Sequence, residues 1–198
     1  MIKNNLNYFR HQITRTTIGL WLAVASCNTT PASTGHHDYF DLVGFLDQQV
    51  ETLYKDSFLV IKTSSINQNT NQHEMPWTDW RKELSLFYAS DINKVAFAGK
   101  YQADTIFIDS TQNKIVYRST DPALRTSLIE ITYALSANRV KLIHIKNQSH
   151  NIIYSNTEEL YLEPLKTYII KSKQQMFFFG VTDLTVKGDF VQKGKSYF

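Results

Sequence analysis

The sequence predicts an α+β domain in which two N-terminal helices pack on a large, twisted antiparallel sheet. Apolar residues first recur with helical spacing in two separate stretches. From Val95 onward their period becomes two, and no long helical pattern returns. Segregated helices followed by consecutive hairpins are typical of this class. A sheet of this length tends to curl, split or close, so a half-barrel is one form that we consider.

A short apolar run, IGLWLAVA, occupies residues 18–25. The residues before it include Lys3, Arg10 and Arg15 and no acid. The run has the length of a signal-peptide core and falls well short of the ~20 residues that a membrane-spanning helix needs. We therefore expect residues 1–26 to be a signal peptide that is removed.

The apolar run leads into Val24-Ala25-Ser26-Cys27, which resembles the lipobox of bacterial lipoproteins. The resemblance implies cleavage between Ser26 and Cys27, diacylation of the Cys27 thiol and acylation of the new amino terminus. Several acyl chains give stable attachment, at ~0.8 kcal/mol per buried CH₂ group. Acylation of this single cysteine leaves no thiol for a disulfide, a metal site or a nucleophile. The alternatives are an ordinary secretory signal and an apolar segment of a cytosolic fold.

The basic excess of the chain lies in its first 26 residues. The whole sequence has 21 Lys and Arg against 18 Asp and Glu, and removal of Lys3, Arg10 and Arg15 leaves 18 of each. This balance argues against nucleic-acid binding and against a polybasic membrane surface. The remaining length suits one domain, which we place at residues 39–198. Two modules, at about 38–120 and 121–198, are the alternative.

Residues 27–38 are expected to be the lipidated cysteine and a flexible tether, because they are polar and contain Pro31 and Gly35. His36, His37 and Asp38 form the one cluster that resembles metal ligands. They have no spaced partner, so we expect no metal and no other cofactor.

Two helices are predicted next to this tether. Apolar spacing indicates the first over residues 39–55, with Asp38 as a possible N-cap. The second covers residues 79–90 and buries a stripe that starts at Trp80. Strands are expected at 58–66, 73–77, 95–101, 105–109, 114–119, 127–135, 139–147, 151–155, 158–164, 167–175 and 176–191.

Three stretches resemble a group of small uncharacterised lipoproteins of Bacteroidota: FDLVGFLDQQVETLYKD, DWRKELSLFYASDINKVAF and NIIYSNTEELYLEPLKTYIIKSKQQ. The resemblance implies an envelope location and no particular activity. In that phylum an acidic run after the acylated cysteine directs lipoproteins to the cell surface, and residues 28–31 have no acid. We therefore expect an outer-membrane lipoprotein that faces the periplasm. The resemblance is carried most clearly by Asp79, Trp80, Glu83, Leu84, Phe87, Asp91, Ile92, Asn93 and Lys94.

No catalytic motif is present in the sequence. It lacks a G-x-S-x-G elbow, a glycine-rich phosphate loop and an H-E-x-x-H pair. His144 alternates within a predicted strand and His150 follows it, so both are expected to be structural or solvated. Catalytic residues are therefore predicted to be absent.

The abundance of aromatic residues allows one sharper hypothesis. An apolar groove beneath a curved sheet could hold a lipid or a peptide, as in lipoprotein carriers with half-barrel folds, although that comparison rests on fold analogy alone. Packing of the same side chains in the core is the alternative. The candidate groove residues are Trp77, Trp80, Phe87, Phe177 and Phe179.

The function expected from these observations is that of a membrane-anchored envelope lipoprotein acting as a non-catalytic interaction or assembly module. The alternative is a carrier or binding protein with an apolar pocket for a lipid-like or peptide ligand. A hydrolase with an unrecognised site is a third hypothesis. The expected partners are the bilayer, through acylated Cys27, and an envelope protein or a lipid-like ligand, with no nucleic acid.

Overall fold

The computed structural model describes residues 38–67, 69–75, 78–177 and 180–194. The predicted signal peptide, Ser26, Cys27, the tether up to residue 37, Trp77 and Phe179 lie outside the described residues. In the part of the chain that is described, no helix is long and apolar enough to cross a membrane.

The described residues form one open antiparallel sheet of nine strands, in the order β2-β1-β9-β8-β7-β6-β5-β4-β3. The predicted fold class is confirmed at this level, and the sheet is not a closed barrel. The strands are β1 (Phe58–Ile66), β2 (Asn69–Met75), β3 (Tyr101–Asp109), β4 (Gln112–Ser119), β5 (Thr126–Ala134), β6 (Arg139–His150), β7 (Tyr154–Glu163), β8 (Thr167–Met176) and β9 (Gly180–Gln192).

The topology is an antiparallel meander of β3 to β9, to which the β1–β2 hairpin is added beside β9. Strands β3 to β9 pair in sequence order, and β1 then pairs with β9 along nine residue positions. The outermost strands of the described sheet are therefore β2 on one side and β3 on the other. Sequence and structure differ in where several elements begin and end.

The helices differ from the prediction in number and position. α1 (Leu42–Lys55) begins three residues later than expected because Asp41, not Asp38, is its N-cap and accepts from Gly44 N at 2.9 Å. The predicted helix over 79–90 is wrong as a single element. It consists of α2 (Trp80–Glu83) and α3 (Ser85–Ala89). The break between them is marked by a 3₁₀-type hydrogen bond, in which Phe87 N donates to Leu84 O three residues earlier.

The predicted strand over 95–101 is wrong for most of its length. Val95–Phe97 is a 3₁₀ helix, and Gly99 at φ +70° turns the chain before β3 begins. The predicted strands over 151–155 and 158–164 are one strand, β7, in which Asn156 lies buried and is bonded by Ser172 Oγ at 2.9 Å. Tertiary hydrogen bonding therefore overrides the turn preference of Asn156.

The core lies between the helices and one face of the sheet. α1 contributes Leu42, Leu46, Val50 and Leu53, which are all buried. Trp80 and Phe87 pack edge-on against Phe190 and Tyr168, with ring centroids 5.5 and 6.5 Å apart. The sheet side of this core is mostly aliphatic and comprises Val60, Ile129, Ile131, Ile143, Ile145, Leu160, Leu162 and Ile170.

The two ends of the sheet carry different loops. The tether end is the end at which β3 begins and at which the loops after β4, β6 and β8 lie. The described chain starts there, because the Tyr39 ring packs edge-on against Tyr101, the first residue of β3, at 5.6 Å. Tyr39 N also donates to Asn93 Oδ1 at 3.1 Å. The far end holds the turns at 110–111, 135–138 and 164–166.

Candidate interaction surfaces

The described members of the predicted apolar groove do not line a common cavity. Trp80 and Phe87 are buried in the helix–sheet core, at 2% and 0% exposure. Phe177 lies in the turn after β8 and is 76% exposed. Trp77 and Phe179 belong to the residues that are not described. Packing against Tyr168 and Phe190 therefore accounts for Trp80 and Phe87 without a ligand.

The open cavities of the described surface include three with volumes of about 480, 520 and 280 Å³. The first is at the far end and combines an apolar floor of Phe45, Val140 and Leu165 with the cations Arg139 and Lys141. Leu165 has φ +54°, a conformation that costs a leucine about 1–2 kcal/mol. Trp80 lines the third cavity, together with Leu53 and Phe58, whereas Phe87 and Phe177 line none of the three.

An exposed apolar cluster projects from two adjacent hairpins at the tether end. Phe177 N donates to Ile153 O at 3.1 Å, which joins the turn after β8 to the turn after β6. Ile152 is 97% exposed, although it is among the most apolar side chains of the protein. We call this cluster the apolar tips, and it comprises Ile152, Ile153, Met176, Phe177 and Val181.

A second exposed apolar cluster lies on the outermost strand β3 near the far end. Eight of the nine residues of β3 are exposed. Ile106, Phe107 and Ile108 follow one another there, and Phe107 is 78% exposed. A register shift between Phe107 and Asp109 opposite β4 distorts the strand at this point. We call Ile106, Phe107 and Ile108 the apolar edge.

The sheet face opposite the helices carries a partly buried polar ladder. Glu130, His144 and Tyr161 lie opposite one another on β5, β6 and β7. His144 Nδ1 is 2.7 Å from Glu130 Oε2, and the His144 and Tyr161 rings stack 4.4 Å apart at 4°. Tyr161 Oη donates to Glu159 Oε2 at 2.7 Å. The ladder therefore links β5, β6 and β7 through their side chains.

The charges of this ladder are mutually stabilised. Burial disfavours the ionised form of Glu130, but the hydrogen bond from His144 and the Lys114 ammonium outweigh it and hold the pKa of the carboxyl below its usual range. Burial and the bond to Glu159 raise the pKa of Tyr161 to about 12. At neutral pH the ladder therefore holds an ionised glutamate and a protonated tyrosine.

A buried polar network lies on the helix-side face between β6 and β8. Glu158 accepts from Arg125 Nη2 at 2.7 Å, from Asn156 Nδ2 at 2.9 Å and from Asn147 Nδ2 at 3.3 Å. Asn147 Nδ2 also donates to Ser90 Oγ at 2.9 Å, which ties the end of α3 to the sheet. The network therefore fixes the helix layer on the strands.

The described residues contain no group of three or more His, Cys, Asp or Glu that could hold a metal ion. Comparisons of the chain with protein-family models, with curated proteins and with solved structures find no match. The candidate interaction surfaces of the described residues are the apolar tips, the apolar edge and the far-end cavity.

Sequence reasoning missed both exposed apolar clusters. The signals were present in the TIFID and NIIYS stretches, where apolar residues are adjacent and not alternating. Adjacent apolar residues put one side chain on each face of a strand, or two side chains in a turn. Which of these applies depends on the burial of both faces, and that is decided by tertiary packing.

Proposed function

We propose that this chain is a lipid-anchored envelope protein that acts as a non-catalytic interaction module, and that its outermost strand β3 pairs with an extended segment of a partner protein. The anchor is acylated Cys27, and the module is the domain at 39–198. The observation that carries the proposal is the apolar edge, three consecutive exposed apolar residues on an outermost strand.

An outermost strand offers backbone N–H and C=O groups along its unpaired side, and these can bond an added strand. Proteins usually protect such strands with lysines, prolines or short length. β3 is nine residues long, has neither lysine nor proline, and carries the exposed Phe107. Its protection is limited to the register shift near Phe107 and to Asp104 and Asp109.

The opposite outer strand provides the contrast. β2 reads NTNQHEM and is polar almost throughout, as expected of a protected strand. The charged residues of β3 are Asp104, which pairs with Arg118 at 3.3 Å, and Asp109. The partner segment proposed is therefore an extended one whose side chains are mainly apolar.

The anchor and the partner surface are tested separately. Cys27→Ala is expected to release the protein from the membrane fraction of the envelope, and wild-type membrane retention of this variant would contradict the anchor. For the partner surface, Phe107→Asp is expected to abolish co-purification of the partner after mild solubilisation. Val95→Asp is the control, because Val95 is 96% exposed and belongs to neither apolar cluster.

Strand addition has a signature that a general loss of stability does not reproduce. Partner binding is expected to slow amide hydrogen exchange in β3, at residues 101–109, and to leave β2 at residues 69–75 unchanged. Unchanged exchange in β3 within a stable complex would contradict this mode of binding.

A carrier of a lipid-like ligand is the second candidate, and the far-end cavity favours it. An apolar floor beneath Arg139 and Lys141 suits an amphiphile with an anionic head group. A more curled, half-barrel form of the sheet would enlarge the space beneath the helices for such a ligand. Dodecyl phosphate binding that is weakened by Arg139→Gln, and not by Arg118→Gln, would support this candidate. Equal binding by both variants would contradict it.

A further inference from the structure

We propose that the apolar tips form a second membrane contact, which enters the same bilayer leaflet as the acyl chains on Cys27 and thereby fixes the orientation of the domain. The occupant of this surface is the acyl and head-group region of a phospholipid bilayer. The inference rests on the proposed function only in taking the lipid anchor as the reason that a bilayer is near.

The shape of the surface suits a bilayer. β6 extends for three residues, 148–150, beyond Asn147, which lies opposite Thr126 at the start of β5. At ~3.3 Å per residue the turn after β6 therefore projects about 10 Å past the neighbouring strand. Tyr154 pairs with Met176, so the turn after β8 projects alongside it. The apolar side chains thus stand on a convex projection, which can enter a fluid interface without a matching pocket.

The composition of the projection removes the main cost of insertion. Residues 149–155 and 174–182 contain no Asp, Glu, Lys or Arg. The first charges beyond residues 149–155 are Lys146 and Glu158. Those beyond residues 174–182 are Lys173 and Asp183, which are opposite in sign and lie opposite each other on β8 and β9. A charged side chain at bilayer depth is costly, whereas Ile, Phe and Val are favourable there. Binding is therefore expected to depend on apolar insertion and to need no anionic lipid.

The described chain starts at the same end of the sheet as the apolar tips. Tyr39 is held beside Tyr101 at the tether end. From β3 to β7 there are four strand spacings, which at ~4.8 Å each amount to about 19 Å. The eleven residues 28–38 can extend over about 36 Å at ~3.3 Å per residue. Acyl chains on Cys27 and the apolar tips can therefore reach one bilayer surface together.

Tryptophan reporters at the two ends of the sheet test the contact in the acylated protein. Phe177→Trp and Phe107→Trp variants are reconstituted in phosphatidylcholine vesicles, with and without brominated acyl chains that quench tryptophan. The emission of the introduced tryptophan is obtained by subtracting that of the unsubstituted protein, which contains Trp77 and Trp80. Interfacial segments enter the bilayer by ~5–10 Å, so the emission added by Phe177→Trp is expected to be quenched at least about twofold and that added by Phe107→Trp to be unaffected. Absence of quenching in Phe177→Trp, or equal quenching in both, would overturn the proposal.

A second measurement separates the tips from the anchor. In the full chain with Cys27→Ala, the fraction that floats with phosphatidylcholine vesicles is compared after Phe177→Ser and after Phe107→Ser. Loss of a buried aromatic contact is expected to lower the partition coefficient about tenfold in the first case only. Equal flotation of the two variants would overturn the tip contact, even if Cys27 proves to be the anchor. If the Cys27→Ala chain stays in the membrane fraction at the wild-type level while Phe177→Ser still lowers vesicle flotation, the anchor would be overturned and the tip contact would stand.

Discussion

Gly188 lies directly opposite Tyr168 on neighbouring strands, and the Tyr168 ring occupies the space that a side chain at residue 188 would need. A Cβ atom there would lie 2.1 Å from Tyr168 Cε1. The ring cannot move away easily, because Tyr168 is fully buried and its hydroxyl donates to Glu83 Oε1. The absent side chain at residue 188 thus lets the aromatic core of α2 and α3 settle on the sheet.

Gly188→Ala is expected to lower the free energy of unfolding by about 2–3 kcal/mol, the range of overpacked cores. Gly180→Ala is the control, since a Cβ at Gly180 meets nothing within 4 Å and only its φ of +80° opposes the change. We expect Gly180→Ala to lower the free energy of unfolding by about 1–2 kcal/mol. Denaturant titration measures both, and a smaller cost at Gly188 than at Gly180 would contradict the packing argument.

The effects on stability of substitutions at Asp41 and Gly44, in the first turn of α1, are expected to depend on each other. Asp41 Oδ2 would lie 2.2 Å from a Cβ at Gly44, so the cap and an alanine at that position exclude one another. Asp41→Ala is expected to cost about 1 kcal/mol of stability through the lost cap. Gly44→Ala is expected to gain about 1 kcal/mol of helix propensity only in the Asp41→Ala background. Additive effects in the double-mutant cycle would show that the cap does not occupy this space.

Removal of the Glu158 carboxylate is expected to lower the stability of the fold, because several side chains bond to it. Glu158→Ala removes the ion-pair partner of Arg125 and the acceptor of the buried Asn156 amide, whereas Asn147 keeps its bond to Ser90 Oγ. We expect the free energy of unfolding to fall by about 2 kcal/mol, chiefly because the buried Asn156 amide loses its acceptor. Glu163→Ala is the matched control, because its pair with Lys166 is exposed and worth at most about 1 kcal/mol. Similar losses in both variants, measured by thermal or chemical unfolding, would contradict the assignment.

The raised pKa of Tyr101 is expected to make the fold less stable at alkaline pH. Burial, followed by the neighbouring Tyr39 and Asp121, raises the pKa of Tyr101 to about 12 from an ordinary value near 10. Between these pH values the unfolded chain has lost the proton and the folded protein has kept it. The free energy of unfolding therefore falls as the pH rises from about 10 to about 12. Tyr101→Phe is expected to make this slope shallower in denaturant titrations at stepped pH, and an unchanged slope would contradict the role of Tyr101.

Sequence reasoning located most of the strands, because period-two alternation follows from a sheet with one buried face. It placed β1, β5 and β8 to within a residue or two of their ends. It failed where backbone geometry decided the outcome, as at Gly99 and Leu84. It also read the run after residue 176 as the start of a strand, whereas Phe177 lies in the turn. A turn of apolar residues has no local signal that distinguishes it from a buried strand.

The candidate surfaces could be predicted only in part for the same reason. The sequence singled out Trp80, Phe87 and Phe177 together because all three are aromatic. The structure separates them, since Trp80 and Phe87 contact Phe190 and Tyr168 while Phe177 stands on the surface. The apolar edge and the apolar tips depend on strand order, which local patterns do not encode.

The sequence by itself determined the balance of charge after residue 26 and the α+β class with an antiparallel sheet. It also supplied the lipobox, which remains a prediction. These follow from composition and from the local periodicity of side chains, which adjacent residues alone define. Only the tertiary structure decided that β3 is outermost, that Tyr168 lies over Gly188, and that Tyr39 starts the described chain at the end where Ile152 and Phe177 project. Those relationships join residues far apart in the chain, and the pairing and packing free energies that select them are properties of the whole fold.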